Sequence, residues 1–283
     1  MNLVEYLAKA SEYLMRHGVA SSRLNSELLL ANLLGISRLD IYTNFDRPLA
    51  EAEANAYREA LARRAGGCPL QYITGEAGFR GVTLEVAPGV FIPRPETEVL
   101  VKKALEVLEE PEAACRVLDL GTGCGNIAVS IAVERPRAVL VAVDCDEAAT
   151  ALCARNASKA DVEGRVDVRV GDLFEPLDGV APFDLILSNP PYIPVAMRDS
   201  LPVEVRDFEP EQALFAGPDG LDVIRRIIDG APPRLVAGGW LALEVDESHA
   251  DVVAEELESA GWLDVEVFED LALRPRIARA RRG

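Results

Sequence analysis

The chain has 283 residues, 49% of them hydrophobic, enough to bury one large core or a large and a small one. Its 29 basic and 47 acidic residues leave a net charge of −18, which repels a phosphate backbone and argues against a direct nucleic-acid substrate. No apolar run approaches bilayer length, and the N-terminal MNLVEYLAKASEYLMRHGV carries acids and lacks the apolar stretch of a secretion signal, so a soluble, cytoplasmic protein without a membrane partner is expected.

Residues 2 to about 65 carry helical patterning. Leu3, Leu7, Ala10 and Leu14 make one apolar stripe, and Gly18 offers the stop. Ser22 is expected to cap a second helix that turns Leu24, Leu28 and Ala31 inward and ends at Gly35. Pro48 suits the start of a third, with Leu49, Ala52, Ala56 and Ala60 on one face. Gly66-Gly67 breaks this bundle, and FRGVTLEVAPGVFI then alternates as two strands around Pro88-Gly89, a hairpin that joins the two halves. The expected division is a helical domain at 1–75, a β-hairpin linker at 76–95 and a second domain at 96–283.

The second domain reads as α/β. Pro95, Glu96 and Glu98 open a helix whose Leu100, Val101, Ala104, Leu105 and Leu108 face a core. RVLDL, VLVAV, VDVRV, FDLILS and WLALEV are short β-branched runs of the kind buried on both faces of a doubly wound parallel sheet. The tail RPRIARARRG holds five Arg and no acid, and reads as an exposed, solubilising terminal strand. The five cysteines form an odd set without a C-x-x-C pair, so neither a disulfide framework nor a metal site is suggested. His17 and His249 are expected at the surface.

VLDLGTGCGNIAVSIA is the first stretch that carries chemistry. A strand ends at Asp119, a loop turns through Gly121, Thr122, Gly123, Cys124 and Gly125, and a helix starts near Asn126. Glycines let a backbone approach a ligand closely, and a helix N-terminus offers unpaired N–H groups. Alone, the pattern fits a dinucleotide site or merely a tight turn. The next strand ends in Asp144, about 20 residues on, where a carboxylate can accept both hydroxyls of a ribose or merely cap a helix. Asn126 stands where a pyrophosphate-binding loop has its last glycine, which favours a nucleoside cofactor without phosphates.

FDLILSNPPYI ends a strand on two prolines. Strand ends line the ligand crevice of such a sheet, so Asn189 belongs beside the nucleoside. Pro190 and Pro191 lack N–H groups and restrict φ, which leaves the Asn189 and Pro190 carbonyls free and rigidly aimed. An amide nitrogen in that corner donates one hydrogen to the Asn189 side-chain oxygen and one to the Pro190 carbonyl. Its lone pair then points at a third group, and with a sulfonium methyl there the arrangement performs methyl transfer by orientation, Tyr192 stacking on the flat acceptor. A loop that simply ends a strand is the plain alternative.

D-L-G-T-G-x-G, Asp144, GDLF at 171–174 and SNPPYI resemble the class I S-adenosylmethionine-dependent methyltransferases of amide or exocyclic nitrogen. PLQYITGEAGFRG, FIPRPETEVLV, EPEQALFAGPDGLDVIRRII and GGWLALEV further resemble the HemK family, the bacterial peptide chain release factor glutamine methyltransferases, over nearly the whole chain. The resemblance implies a class I methyltransferase sheet behind a small N-terminal helical bundle and a linking hairpin. It implies S-adenosyl-L-methionine as cofactor, S-adenosyl-L-homocysteine as product, and methylation of the Gln in the Gly-Gly-Gln motif of class 1 release factors. Residue by residue, it gives Gly121, Thr122, Gly123, Cys124 and Gly125 the methionine part of the cofactor, Asp144 the ribose and Phe174 the adenine. Asn189, Pro190, Pro191 and Tyr192 would hold the glutamine, Asn189, Pro190 and Tyr192 would be catalytic, and Arg94 would shape the site.

Cys124 departs from the usual Ser or Thr, and its thiol and that of Cys145 are expected to flank the pocket. LEVDESH departs from L-E-x-G-x-x-Q, with Ser248 and Asp251 expected as a replacement capping pair. A ribosomal-protein glutamine methyltransferase, an adenine-N6 methyltransferase and a cofactor-binding assembly protein without turnover stay open at this stage.

Overall fold

The computed structural model describes residues 1–283 except 109, 111 and 112. The chain forms two compact units, Met1–Glu76 with Pro202–Phe208, and Ala77–Leu201 with Glu209–Gly283.

The first unit is helical: α1 (Leu3–Arg16), α2 (Ser22–Leu34), α3 (Arg38–Thr43), α4 (Glu51–Ala65) and α5 (Leu70–Thr74). Asn2 and Glu5 form a capping box on α1, which buries Leu3, Leu7, Ala10 and Leu14 as its spacing requires. The other helices correct the reading. In α2 it is Leu29, Leu30, Ala31 and the polar Asn25, Ser26 and Glu27 that are buried, while Leu24 is exposed; Ser21, not Ser22, precedes the first turn and makes no side-chain cap. Glu27 tolerates burial because Arg23, Arg38 and Tyr42 all donate to it. The third predicted helix begins after Pro48, at Glu51, and buries Ala54, Tyr57 and Leu61; of the predicted face, Leu49 and Ala60 pack against this core, while Ala52 is exposed and Ala56 half-buried. The Tyr57 hydroxyl donates to the Ser26 carbonyl at 2.9 Å, which explains a phenol in the middle of this core. Gly67 leaves room for Val203 and Phe208 of the returning 202–208 segment, where a Cβ would come within 2.8 Å of Val203.

The second unit opens on the hairpin, β1 (Glu76–Phe79) and β2 (Val82–Glu85). Its turn is Arg80-Gly81, both at positive φ (45° and 78°), as a two-residue hairpin twisted with its strands needs. Pro88-Gly89 lies in the irregular stretch that follows, so the expected turn was placed eight residues late. Ala77, Phe79, Leu84 and Val86 join the main core of this unit.

Next come α6 (Pro95–Leu105), β3 (Cys115–Leu120), α7 (Asn126–Glu134), β4 (Ala138–Asp144), α8 (Glu147–Lys159), β5 (Val166–Val170) and β6 (Phe183–Ser188). The short helix α9 (Val203–Arg206) belongs to the first unit; α10 (Asp222–Gly230), β7 (Leu235–Glu244), α11 (Ala250–Ser259), β8 (Leu263–Glu269) and β9 (Pro275–Arg281) complete the second. Seven strands form a sheet in the order β5-β4-β3-β6-β7-β9-β8, parallel from β5 to β7 and antiparallel at β9. Two cores cover its faces, one under α6, α7 and α8 and one under α10 and α11. The order reverses between β3 and β6, and the carboxyl ends of those strands bound the crevice where such sheets take ligands.

The arginine-rich tail overturns its reading as an exposed strand. β9 lies between β7 and β8, with Ile277, Ala278 and Ala280 fully buried. Its arginines are matched by acids: Arg274 with Asp270 and Glu96, Arg276 with Asp246, Arg279 with Glu266 and Arg281 with Asp264. At α11 the expected Ser248–Asp251 cap is replaced: Ser248 donates its backbone N–H and hydroxyl to Asp246, and no side chain caps the helix. His249, expected at the surface, is half-buried beside Gly220.

Candidate active site

Leu120 of β3 pairs with Ser188 of β6, and the Ser188 hydroxyl donates to the Leu120 carbonyl at 2.7 Å. The two chemistry-bearing loops therefore start side by side. A Cβ built on Gly121 would meet only the Asn189 carbonyl oxygen, at 3.9 Å, and one on Gly123 would meet nothing within 4 Å. Both glycines have positive φ, 69° and 54°, a conformation few other residues adopt, and both have space where a side chain would stand. Gly125 is required by packing as well, since a Cβ there would strike Cys153 of α8 at 2.7 Å.

Two carboxylates hold this loop. Asp119, fully buried at the end of β3, accepts from the Thr122 hydroxyl at 2.6 Å and the Ala128 N–H at 3.2 Å, while its second oxygen is buried without a partner among the described residues. Burial pushes its carboxyl up to about 7. Asp144 accepts from the Gly123 N–H at 2.8 Å and the Asp146 N–H at 3.0 Å, and burial raises its carboxyl as well. The orphaned Asp119 oxygen and the open glycine backbones fit a bound nucleoside cofactor with polar groups to satisfy.

The Cys124 side chain is fully buried and faces the core with Cys153, which corrects the expectation that its thiol flanks the pocket; burial pushes it up to about 12. Cys145, beside Asp144, is exposed. Phe174 lies against Gly230 of α10, where a Cβ would come within 2.5 Å of its ring.

Asn189 donates from Nδ2 to the Thr97 hydroxyl oxygen at 3.1 Å, and Thr97 donates its hydroxyl to Glu244 Oε2 at 2.7 Å. No hydrogen bond among the described residues ends on the Asn189 side-chain oxygen or on the Pro190 carbonyl. Tyr192 is half-buried; its hydroxyl donates to Glu244 Oε1 at 3.4 Å and the Arg276 guanidinium sits 5.9 Å from its ring centre. Burial, with Glu244 beside it, raises the Tyr192 hydroxyl well above its ordinary value, so the ring stays neutral. Gly220 clears a path for this strand exit, since a Cβ there would meet the Tyr192 carbonyl oxygen at 2.3 Å. Arg94 pairs with the buried Glu209 and stacks over Phe91 at 4.9 Å. Glu209 also accepts from the Ile92 N–H, so Arg94 anchors the segment that leads into α6.

Thr97, Glu244 and Glu209 were missed by the sequence reading, although PRPETE, GGWLALEV and EPEQALFAGPDG contain them. Nothing local marks them, because each partner lies roughly ninety or more residues away.

Comparison with known proteins adds to this geometry. A family model described as PrmC N-terminal domain matches residues 5–75, and one described as methyltransferase small domain matches residues 82–200. A release factor glutamine methyltransferase of Geobacter sulfurreducens is 47% identical over 241 residues, which cover 85% of this chain and 83% of that one. The protein of the same name from Deinococcus radiodurans is 41% identical over 283 residues, 100% of this chain and 99% of its own. Among solved structures, a methyltransferase from Pyrococcus furiosus shares the fold at a TM-score of 0.53 and 18% identity, over 72% of this chain and 90% of that one.

Proposed function

Because the chain belongs to the release factor glutamine methyltransferase family, we propose that it methylates the side-chain amide nitrogen of the Gln in the Gly-Gly-Gln motif of class 1 release factors. It is an S-adenosylmethionine-dependent methyltransferase. The cofactor supplies an electrophilic sulfonium methyl group. Gly121 to Gly125 would hold its methionine part, Asp144 its ribose, and Phe174 would pack near its adenine. The observation that carries the site assignment is the adjacency of the Gly121 turn and the Asn189 carbonyl at the strand reversal, where a Cβ built on Gly121 would lie 3.9 Å from that oxygen.

The chain's own task is orientation. The Asn189 Oδ1 and the Pro190 carbonyl accept the two amide hydrogens of the substrate glutamine, which fixes the plane of its nitrogen and draws charge onto it. Pro191 keeps the segment rigid, and the neutral Tyr192 ring forms the wall on which the planar amide rests. Residues 1–75 would recognise the release factor, residues 76–95 link, and residues 96–283 perform the transfer. A net charge of −18 supports a protein over a nucleic acid as substrate. No helix among the described residues is long and apolar enough to cross a membrane.

Incubation with cofactor and a full-length release factor should add one methyl group, on that Gln, by mass spectrometry. With the Gln replaced by Glu, no methyl should be added. Methylation that survives the replacement, or that appears on a ribosomal protein or on DNA instead, overturns the substrate assignment.

A further inference from the structure

The two ends of the Asn189 carboxamide have nearly the same shape and opposite hydrogen-bonding character, so something must decide which end meets the substrate. If Asn189 is to accept from an incoming amide, its Nδ2 has to be held on the far side. Thr97 occupies that far side. It is fully buried on the first turn of α6, and its oxygen receives Asn189 Nδ2 at 3.1 Å.

A hydroxyl can donate one proton only, and here the proton is committed. Thr97 donates to Glu244 Oε2 at 2.7 Å, at the carboxyl end of β7, and Glu244 is buried with 1% of its surface exposed. An ionised carboxylate accepts and cannot donate, so Thr97 shows only lone pairs to Asn189. The reversed carboxamide would set two acceptor oxygens about 3 Å apart with no proton between them, the most costly arrangement of a buried polar pair.

We propose that Thr97 is a positioning residue which, with its proton drawn away by Glu244, fixes the Asn189 carboxamide with its oxygen toward the substrate amide; this rests on the reading of Asn189 as the glutamine-binding residue. Glu244 also receives the Tyr192 hydroxyl, so one carboxylate orders both ends of the N-P-P-Y segment. The charged groups around it are the Arg276 guanidinium from β9, the Glu96 carboxylate from α6, and Asp246 just beyond β7, itself paired with Arg276. The lock has a direction only while Glu244 is ionised. Protonated, Glu244 can donate to Thr97 and free the hydroxyl to donate to Asn189, which makes the reversed carboxamide acceptable. Burial pushes the Glu244 carboxyl up to about 7, which places that loosening just on the acid side of neutrality.

The test compares the full-length wild type with Thr97→Val, which keeps shape and loses the hydroxyl, and Thr97→Ser, which keeps the hydroxyl. Turnover on a release factor and calorimetric cofactor affinity are measured from pH 6 to 9. The expected result is a kcat at least about 10-fold lower in Thr97→Val, with cofactor affinity within about 2-fold of wild type, and recovery to within about 3-fold in Thr97→Ser. The kcat profile of wild type should bend downward on the acid side near pH 7, and Glu244→Gln, which cannot ionise, should flatten the bend. An unchanged kcat in Thr97→Val, a Thr97→Ser as poor as the valine variant, or a bend undiminished in Glu244→Gln each overturns the inference; a smaller bend that remains belongs to Asp119, whose carboxyl is also pushed up to about 7. A wild type that binds cofactor yet methylates no release factor removes the substrate reading itself, and this inference with it.

Discussion

Asp144 and Gly123 are joined by a 2.8 Å hydrogen bond in which the loop's N–H donates to the carboxylate. The acid that ends β4 therefore shapes the glycine loop of β3, and one side chain serves both the fit of the loop and the proposed ribose contact. Gly123 takes a φ of 54° without steric cost, and the hydrogen bond to Asp144 then selects that turn among the many a glycine could adopt.

Asp144→Ala should then weaken cofactor binding by about 1–3 kcal/mol, through the lost ribose contact and the loosened loop together. Asp144→Asn keeps an acceptor for Gly123 and should lose less. Calorimetric titration with S-adenosylmethionine decides it, and an unchanged affinity in Asp144→Ala rules out the contact.

Alkylation should separate the two cysteines near the loop. Cys145 is exposed, whereas Cys124 is buried and its thiol pushed up to about 12, so neither a path nor a thiolate is present there at neutral pH. Iodoacetamide should label Cys145 in the native protein, more slowly under saturating cofactor, and reach Cys124 only in denaturant. Peptide mass mapping that finds Cys124 modified as fast as Cys145 would place its side chain outside the core.

What could be read from the sequence followed local physics. The five parallel strands contain the short apolar runs read from the sequence; β4 and β6 end at Asp144 and Ser188 as those residues announce, and β3 runs one residue past Asp119, to Leu120. Helix faces were harder where apolar residues crowd every angle. Leu28, Leu29 and Leu30 are consecutive in α2, and only the polar partners Arg38 and Tyr42, which satisfy a buried Glu27, settle which side is in. The hairpin turn was missed because Arg80 carries no signal for a positive φ, while Pro88-Gly89 carries the usual turn chemistry and is used in a loop. β9 was read as a strand but placed at the surface, because its charge was counted and its partners were not. The glycine loop and N-P-P-Y were legible as contiguous chemistry; Thr97 and Glu244 were not, since they meet Asn189 only through the fold.

The interior place of β9 has a direct energetic consequence. Ile277 is fully buried in a strand with neighbours on both sides, so Ile277→Asp puts an unpaired charge into the core and should cost at least about 4 kcal/mol. Urea denaturation measures this. A loss below 1 kcal/mol, as at an exposed position, is roughly what a solubilising tail would give.

Asp119 and Glu244 make stability depend on pH in the sense opposite to an ion-paired acid. Burial pushes both carboxyls up to about 7 from ordinary values of 3.8 and 4.5, so the folded chain holds these protons more tightly than the unfolded one. Their contribution is complete below the unfolded values and is lost as pH rises through 7. Glu244→Gln removes one of the two, so its stability relative to wild type should rise between pH 4.5 and 7 and level off above. Urea midpoints at several pH values test it, and parallel curves for the two proteins would show that Glu244 titrates normally.

The proposed recognition role of the helical unit is better tested by substitution than by truncation. Deleting residues 1–75 would strip Val203 and Phe208 of the packing that Gly67 makes room for, so lost activity would have two explanations. Leu39 and Phe45 are 70% and 57% exposed, and neither is needed by the core of the unit. Large apolar side chains left in water on a recognition domain are the ones whose burial by a partner contributes most to binding. Replacing both by Ser should raise the KM for a full-length release factor by about 10-fold or more and leave cofactor affinity as it was. Because the residues of the proposed transfer site all belong to the other unit, kcat at saturating release factor should stay within about 2-fold of wild type, as a loss of binding alone requires. A kcat that falls while KM holds would tie these side chains to the reaction itself, and an unchanged KM would move the recognition surface elsewhere.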